Sequence, residues 1–162
     1  MRGESGHCAT PRADPPLGAC LDQSWYAPYG RTSRMPTILV VDDSKVMRDM
    51  IVACLRAISG MNFVQASSGL EAIERLSLGQ FDVMVLDVNM PDVGGVEVLE
   101  FLRAQDKLRS LPVLIVTTRG DDESRERVMR AGATAFLAKP FTPDSIIAEV
   151  RALLPQAAGP GA

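Results

Sequence analysis

An α/β fold built on a doubly wound, five-stranded parallel sheet is predicted by three features of the 162-residue sequence. Five short runs of β-branched and aliphatic residues alternate with stretches whose apolar residues recur at helical spacing. The third run, VMVL at residues 83–86, is wholly apolar, as a central strand buried on both faces requires. The connections are short, so successive strands run in the same direction, joined by right-handed helical crossovers.

The first strand is expected at residues 38–41. The helix after it, over residues 46–58, places Met47, Met50, Ile51, Cys54, Leu55 and Ile58 on one face, with Asp43 or Ser44 available as its cap. On that face Cys54 is a core filler rather than a reactive thiol. A second strand is expected at residues 63–66, then a short helix through Leu70, Ile73 and Leu76. Beyond the third strand, a helix carries residues 96–102 and the fourth strand occupies 113–116. A strongly charged helix covers 121–130, the fifth strand 133–137 and the last helix 146–154.

Outside this pattern, residues 1–35 contain Pro11, Pro15, Pro16, Pro28 and four glycines, without helical or strand periodicity. They are expected to form a flexible N-terminal extension whose aromatic cluster is Trp25, Tyr26 and Tyr29. Met35 stands directly before the first strand, so a second reading starts the natural chain there. Residues 36–155 form the expected domain and 156–162 a frayed tail.

Composition narrows the function. The formal charge is −3 and basic residues are dispersed among acidic ones, which argues against a nucleic-acid surface. No apolar run reaches the length of about 18 residues that spans a bilayer, and no basic segment leads into an apolar one at the N-terminus. A cytoplasmic protein with no membrane partner is expected. Three cysteines and one histidine without metal-ligand spacing argue against a disulfide framework or a zinc site.

Ligands of open parallel sheets bind outside the carboxyl ends of the strands. The polar residues there are Asp42 and Asp43 after strand one, Asp87 after strand three, Thr117 and Thr118 after strand four, and Lys139 after strand five. Three carboxylates brought together repel, and a hard divalent cation with oxygen ligands relieves that repulsion; Mg²⁺ combines one or two carboxylates with water and phosphate oxygens. Lys139 offers a point charge to a phosphoryl oxygen, and Thr117 or Thr118 a hydroxyl donor. Asp87 can serve as nucleophile and form an acyl phosphate. The Lys139-Pro140 bond is a candidate for the cis isomer.

In order and at normal spacing, the stretches ILVVDDSKVMR, FDVMVLDVNMPDVGGVEVL, PVLIVTT and GATAFLAKPF resemble the four signature regions of bacterial response-regulator receiver domains. The single-domain, CheY-like chemotaxis regulators are especially similar. The resemblance implies a flavodoxin-like (βα)5 sheet of order 2-1-3-4-5, with Asp87 as the phosphoacceptor. It also implies a Mg²⁺ site made by Asp42, Asp43, Asp87 and the backbone carbonyl of Asn89. Thr117 and Phe136 match the switch pair, and Lys139 the lysine that pairs with the phosphoryl group. Phenylalanine at 136 rules out a tyrosine-type hydrogen bond in the signalling state. Asn89 and Arg119 fall where the family tunes dephosphorylation, and the long cation at 119 implies a slow loss of phosphate.

The implied partners are a sensor histidine kinase or a histidine-containing phosphotransfer protein, and a downstream protein that reads the face of helix four, strand five and helix five. No effector module is expected after residue 155, which points to output through another protein, with the chain a monomer or weak homodimer. The family is not classed among enzymes, although a receiver promotes its own phosphorylation and hydrolysis. A phosphorelay intermediate or phosphate sink is a second reading, and a phosphate-independent adaptor a third. A flavin-binding protein of the same fold class is disfavoured, because VVDDSKV puts negative charge where the flavin phosphate would lie. No GxGxxG or Walker A pattern occurs.

Overall fold

The computed structural model describes residues 34–118 and 120–154. The expected extension up to Ser33, with its aromatic cluster, and the tail from Gln156 lie outside the described residues, as does Arg119. The elements are β1 (Thr37–Val41), α1 (Lys45–Leu55), β2 (Asn62–Ala66), α2 (Gly69–Leu78), β3 (Val83–Leu86), α3 (Gly95–Ala104), β4 (Val113–Thr117), α4 (Asp122–Arg130), β5 (Ala135–Ala138) and α5 (Pro143–Leu153). All strand pairs are parallel and the order is β2-β1-β3-β4-β5, as expected.

Because side chains alternate across a strand, each central strand feeds two cores. Ile38, Val40, Val83, Val85, Leu114 and Val116 point to the side covered by α1 and α5, where they meet Ile51, Val52, Leu55, Ile146 and Val150. Leu39, Val41, Met84, Leu86, Val113 and Ile115 point to the other side, toward Ala72 and Leu76 of α2, Val98, Leu99 and Leu102 of α3, and Val128 of α4. Burial of both faces explains why these strands read as continuous aliphatic runs.

Four helices begin at a side-chain cap. Ser44, Ser68, Asp121 and Thr142 accept hydrogen bonds from the backbone N–H of Met47, Glu71, Ser124 and Ser145 respectively, so Ser44 rather than Asp43 caps α1. The fifth, α3, starts at Gly94 and Gly95 without one. Close approach accounts for Gly95: a Cβ there would sit 2.7 Å from the carbonyl oxygen of Asp87 and 2.8 Å from the Cα of Val88. Bare backbone lets α3 start directly against the end of β3.

Several expected boundaries and faces shift. The last strand starts at Ala135, not 133, because the chain is still leaving α4: Gly132 takes φ +104° and the Ala133 N–H bonds back to the Val128 carbonyl. α1 stops at Leu55, and Ile58 packs on the core from the following turn. Met50 is 41 % exposed, whereas Val52, left off the expected face, is buried. Leu70 is 68 % exposed, and α2 buries Gly69, Ala72 and Leu76 instead. α5 begins earlier than expected, at Pro143, where proline suits the first helical turn. Cys54 packs against the core, as its helical phase predicted. Among the described residues no helix is long and apolar enough to cross a membrane.

Candidate functional site

Sheet register brings the strand-end residues together. Val41 and Leu86 are paired across β1 and β3, so Asp42 and Asp87 leave the sheet in step, and the Asp87 N–H bonds to the Val41 carbonyl at 2.9 Å. At the other side, Thr117 and Ala138 are paired and the Lys139 N–H donates to the Thr117 carbonyl at 2.8 Å. The Lys139-Pro140 peptide is cis, as anticipated.

One carboxylate oxygen from each of Asp42, Asp43 and Asp87 lies within 4.8 Å of the others. Asp42 and Asp87 are buried and Asp43 is exposed. The Lys139 ammonium lies 2.8 Å from Asp42 Oδ2 and 3.7 Å from Asp87 Oδ2 and is itself nearly buried. The other Asp42 oxygen accepts the Ser44 N–H at 2.9 Å, and Asp87 Oδ1 accepts the Asn89 N–H at 3.2 Å. One lysine therefore faces three carboxylates, a net negative pocket open to solvent on the Asp43 side. Burial pushes the Asp87 carboxyl above its ordinary pKa; Lys139 and the Asn89 N–H oppose that shift, while Asp42 and Asp43 add to it.

Hard, anionic oxygen donors converging from the ends of β1 and β3 fit a divalent cation such as Mg²⁺. Asp42, Asp43 and Asp87 are the side chains that would hold it, and its charge would offset the excess of carboxylates.

Thr117 is buried, and its hydroxyl accepts a hydrogen bond from the Asn89 side-chain amide at 2.7 Å; the same amide reaches the exposed Thr118 hydroxyl at 3.2 Å. Phe136 lies on β5, paired with Ile115 of β4. It packs on the core beneath α2, α3 and α4, and the Arg125 guanidinium of α4 lies 5.9 Å from its ring centroid, within cation–π range.

Two features were not read from the sequence. The Asn89 side chain, considered earlier for its carbonyl and for tuning, bridges to both threonines. Arg48 donates through Nη1 to the carbonyls of Asp42 (2.7 Å) and Asp43 (3.4 Å), and through Nε to Gln65 Oε1 (3.1 Å). An arginine one turn into a helix after an acidic pair is a weak signal, since its bonds depend on the register of β2 beside β1.

Residues 38–151 match the family model described as the response regulator receiver domain. The chain is 38 % identical over 105 residues to chemotaxis protein CheY-3 of Vibrio cholerae serotype O1, covering 65 % of this chain and 81 % of that protein. It is also 38 % identical over 105 residues to chemotaxis protein CheY of Pseudomonas aeruginosa, covering 65 % and 85 %. Among solved structures, Vibrio cholerae CheY4 superposes with a TM-score of 0.69 at 33 % identity, over 74 % of this chain and 99 % of that one. The receiver domain of the Francisella response regulator 1452 gives 0.67 at 30 % identity, over 73 % and 95 %. With the strand order, the strand-end carboxylates and a family match over most of its length, the chain belongs to the response-regulator receiver-domain family.

Proposed function

We propose that this chain is a phosphoacceptor switch in which Asp87 takes a phosphoryl group from a histidine kinase or a histidine-containing phosphotransfer protein. The observation that carries this reading is the setting of Asp87: a buried carboxylate at the end of β3, 3.7 Å from the Lys139 ammonium and grouped with Asp42 and Asp43. Phosphoryl acceptance is general to the family, and the donor set suits it.

An Asp87 carboxylate oxygen forms a bond to phosphorus while the phosphorus–nitrogen bond of the donor phosphohistidine breaks. The electron pair returns to the imidazole nitrogen, which takes a proton from solvent. Lys139 meets the charge on a phosphoryl oxygen, and its burial strengthens that interaction. Asp42, Asp43, Asp87 and the Asn89 carbonyl would hold Mg²⁺, which when bound neutralises charge between carboxylates and phosphoryl oxygens. Hydrolysis reverses the state: water adds to phosphorus, the aspartyl oxygen–phosphorus bond breaks and the carboxylate is restored. Arg119, outside the described residues, is proposed to slow that step.

The phosphoryl group also gives the Thr117 hydroxyl a new partner. The Thr117 hydroxyl accepts from Asn89 in the resting arrangement, and Phe136, beneath Arg125 of α4, is proposed to move with the rearrangement. The face of α4, β5 and α5 is then the surface read by a downstream protein, in the cytoplasm, with the chain a monomer or weak dimer. Chemotaxis-type signalling is the favoured pathway, supported by relatives that bear that name and are matched over 81 % and 85 % of their length.

Intact mass and peptide mapping after a short pulse with a small acyl phosphate and Mg²⁺ test the chemistry. One added phosphoryl group on Asp87, absent when Mg²⁺ is chelated before the pulse and absent in D87N, is expected. No adduct in the wild-type protein, or an adduct that persists in D87N, overturns the assignment.

A further inference from the structure

We propose that Arg48 is a positioning residue for divalent-cation binding, because its guanidinium holds the backbone carbonyls of both Asp42 and Asp43 and so fixes the loop that presents the acidic pair. This inference rests on reading the acidic cluster as a Mg²⁺ site.

The loop leaves β1 at Asp42 and enters α1 two residues later at its Ser44 cap. Strand pairing no longer holds these carbonyls; Arg48 Nη1 does, at 2.7 Å to Asp42 and 3.4 Å to Asp43. The guanidinium is braced in turn. Its Nε bonds Gln65 Oε1 at 3.1 Å, and Gln65 Nε2 bonds Asp49 Oδ1 at 3.3 Å. Gln65 sits on β2 opposite Val40 of β1, so the brace reaches the sheet itself. Asp49, the acidic neighbour of Arg48 in sequence, takes the Lys45 ammonium at 2.6 Å. Arg48 thus directs its donors at loop carbonyls and at a neutral amide, which a planar fork with several fixed N–H groups can do and a lysine cannot reproduce.

Electrostatics alone assigns Arg48 the opposite effect. A fixed positive charge this near a cation site repels the cation, so removing it by charge alone would tighten Mg²⁺ binding. Positioning predicts weakening, because partners that orient metal-binding groups commonly contribute about tenfold or more to affinity. The sign of the change separates the two.

The test is calorimetric titration of Mg²⁺ into the full-length wild-type protein, R48M and R48K, with urea unfolding of each metal-free protein alongside. R48M is expected to raise the Mg²⁺ Kd about tenfold, and R48K, which keeps the charge and a single donor nitrogen, by less. In phosphorylation by a small acyl phosphate, the Mg²⁺ concentration for half-maximal rate should rise in parallel, with the rate at saturating Mg²⁺ close to wild type. An R48M Kd equal to or tighter than wild type overturns the inference, including when the unfolding midpoint falls, since a purely structural staple lowers stability without changing the Kd of the folded domain. Should R48M fail to fold, Q65M removes the brace while leaving Arg48; a smaller weakening supports the inference and an unchanged Kd overturns it. A wild-type protein that takes up no Mg²⁺ overturns the underlying site as well, whereas wild-type binding matched by R48M removes only the role of Arg48.

Discussion

The Asn89 side-chain amide donates to the Thr117 hydroxyl across 2.7 Å, tying the loop after β3 to the end of β4. If Thr117 is the residue that answers the phosphoryl group, this bond helps to set the position it starts from. N89A is expected to broaden the Thr117 side-chain rotamer distribution, measured by three-bond NMR couplings. Asn89 is exposed, so the loss of stability should be small, at most about 1 kcal/mol. An unchanged rotamer in N89A would mean that the other contacts of Thr117 hold it.

Lys139 is the one cation in contact with the buried carboxylates of Asp42 and Asp87 among the described residues. Breaking a buried pair leaves the acid partner uncompensated, so K139M is expected to cost about 3 kcal/mol at neutral pH in the absence of divalent cations. Lys139 pulls the Asp87 pKa down, so its removal lets that carboxyl protonate more readily, and the deficit should shrink under mildly acidic conditions. Saturating Mg²⁺ should also recover part of it. Urea midpoints at two pH values, with and without Mg²⁺, check all three effects; a deficit independent of both pH and Mg²⁺ would place the cost in packing alone.

The strand-end residues were legible because one rule sufficed: parallel strands joined by helices return to the same edge, so Asp42, Asp43, Asp87, Thr117 and Lys139 had to converge. The side chains that hold them were not legible. Arg48 bonds the Asp42 and Asp43 carbonyls while Gln65 on a neighbouring strand braces its guanidinium, a product of register that no local pattern encodes. Helix faces were read less well than strands for a related reason. The apolar stripe of α1 is wide, and its packing on the sheet and α5 selects Ile51, Val52 and Leu55 over Met50. In β5 the alternation of ATAFL suggested a strand from Ala133, two residues early, because the Gly132 turn is still unwinding from α4 there.

Glu71 supplies a pH dependence away from the site. Hydrogen bonds from the Ser67 backbone and hydroxyl, followed by Arg75, lower its pKa to about 2 from an ordinary 4.5. A depressed carboxyl stabilises the fold above its unfolded pKa, and that contribution is lost as pH falls through about 2. E71Q keeps an oxygen acceptor for the Ser67 N–H but loses the charge; allowing for solvent screening, the cost at neutral pH is about 1 kcal/mol. The gap between wild type and E71Q in urea unfolding should be constant above pH 4.5 and close as pH approaches about 2. A gap that is flat over this window would show that the charge contributes nothing.

Of the five helices, α4 is the least anchored. α4 buries Val128 alone, whereas α1 buries Ile51, Val52 and Leu55 and α5 buries Ile146 and Val150. Its far end is held by Arg103, whose Nε and Nη2 donate to the Gly132 carbonyl at 2.9 and 2.6 Å while Nη1 bonds the Leu111 carbonyl at 3.1 Å. With that end clamped, opening should begin at the Asp121 cap and run toward Arg130. Amide hydrogen exchange is therefore expected to be faster in α4 than in α1 or α5, and fastest in its first turns. V128A removes most of the burial and should lower the opening free energy of α4 by about 2 kcal/mol, leaving the slowest amides of α1 and α5 with the smaller change. Equal loss of protection in all helices would mean that α4 opens only when the whole domain unfolds, and the proposed switch would then have to act through rigid displacement of the helix rather than through its local loosening.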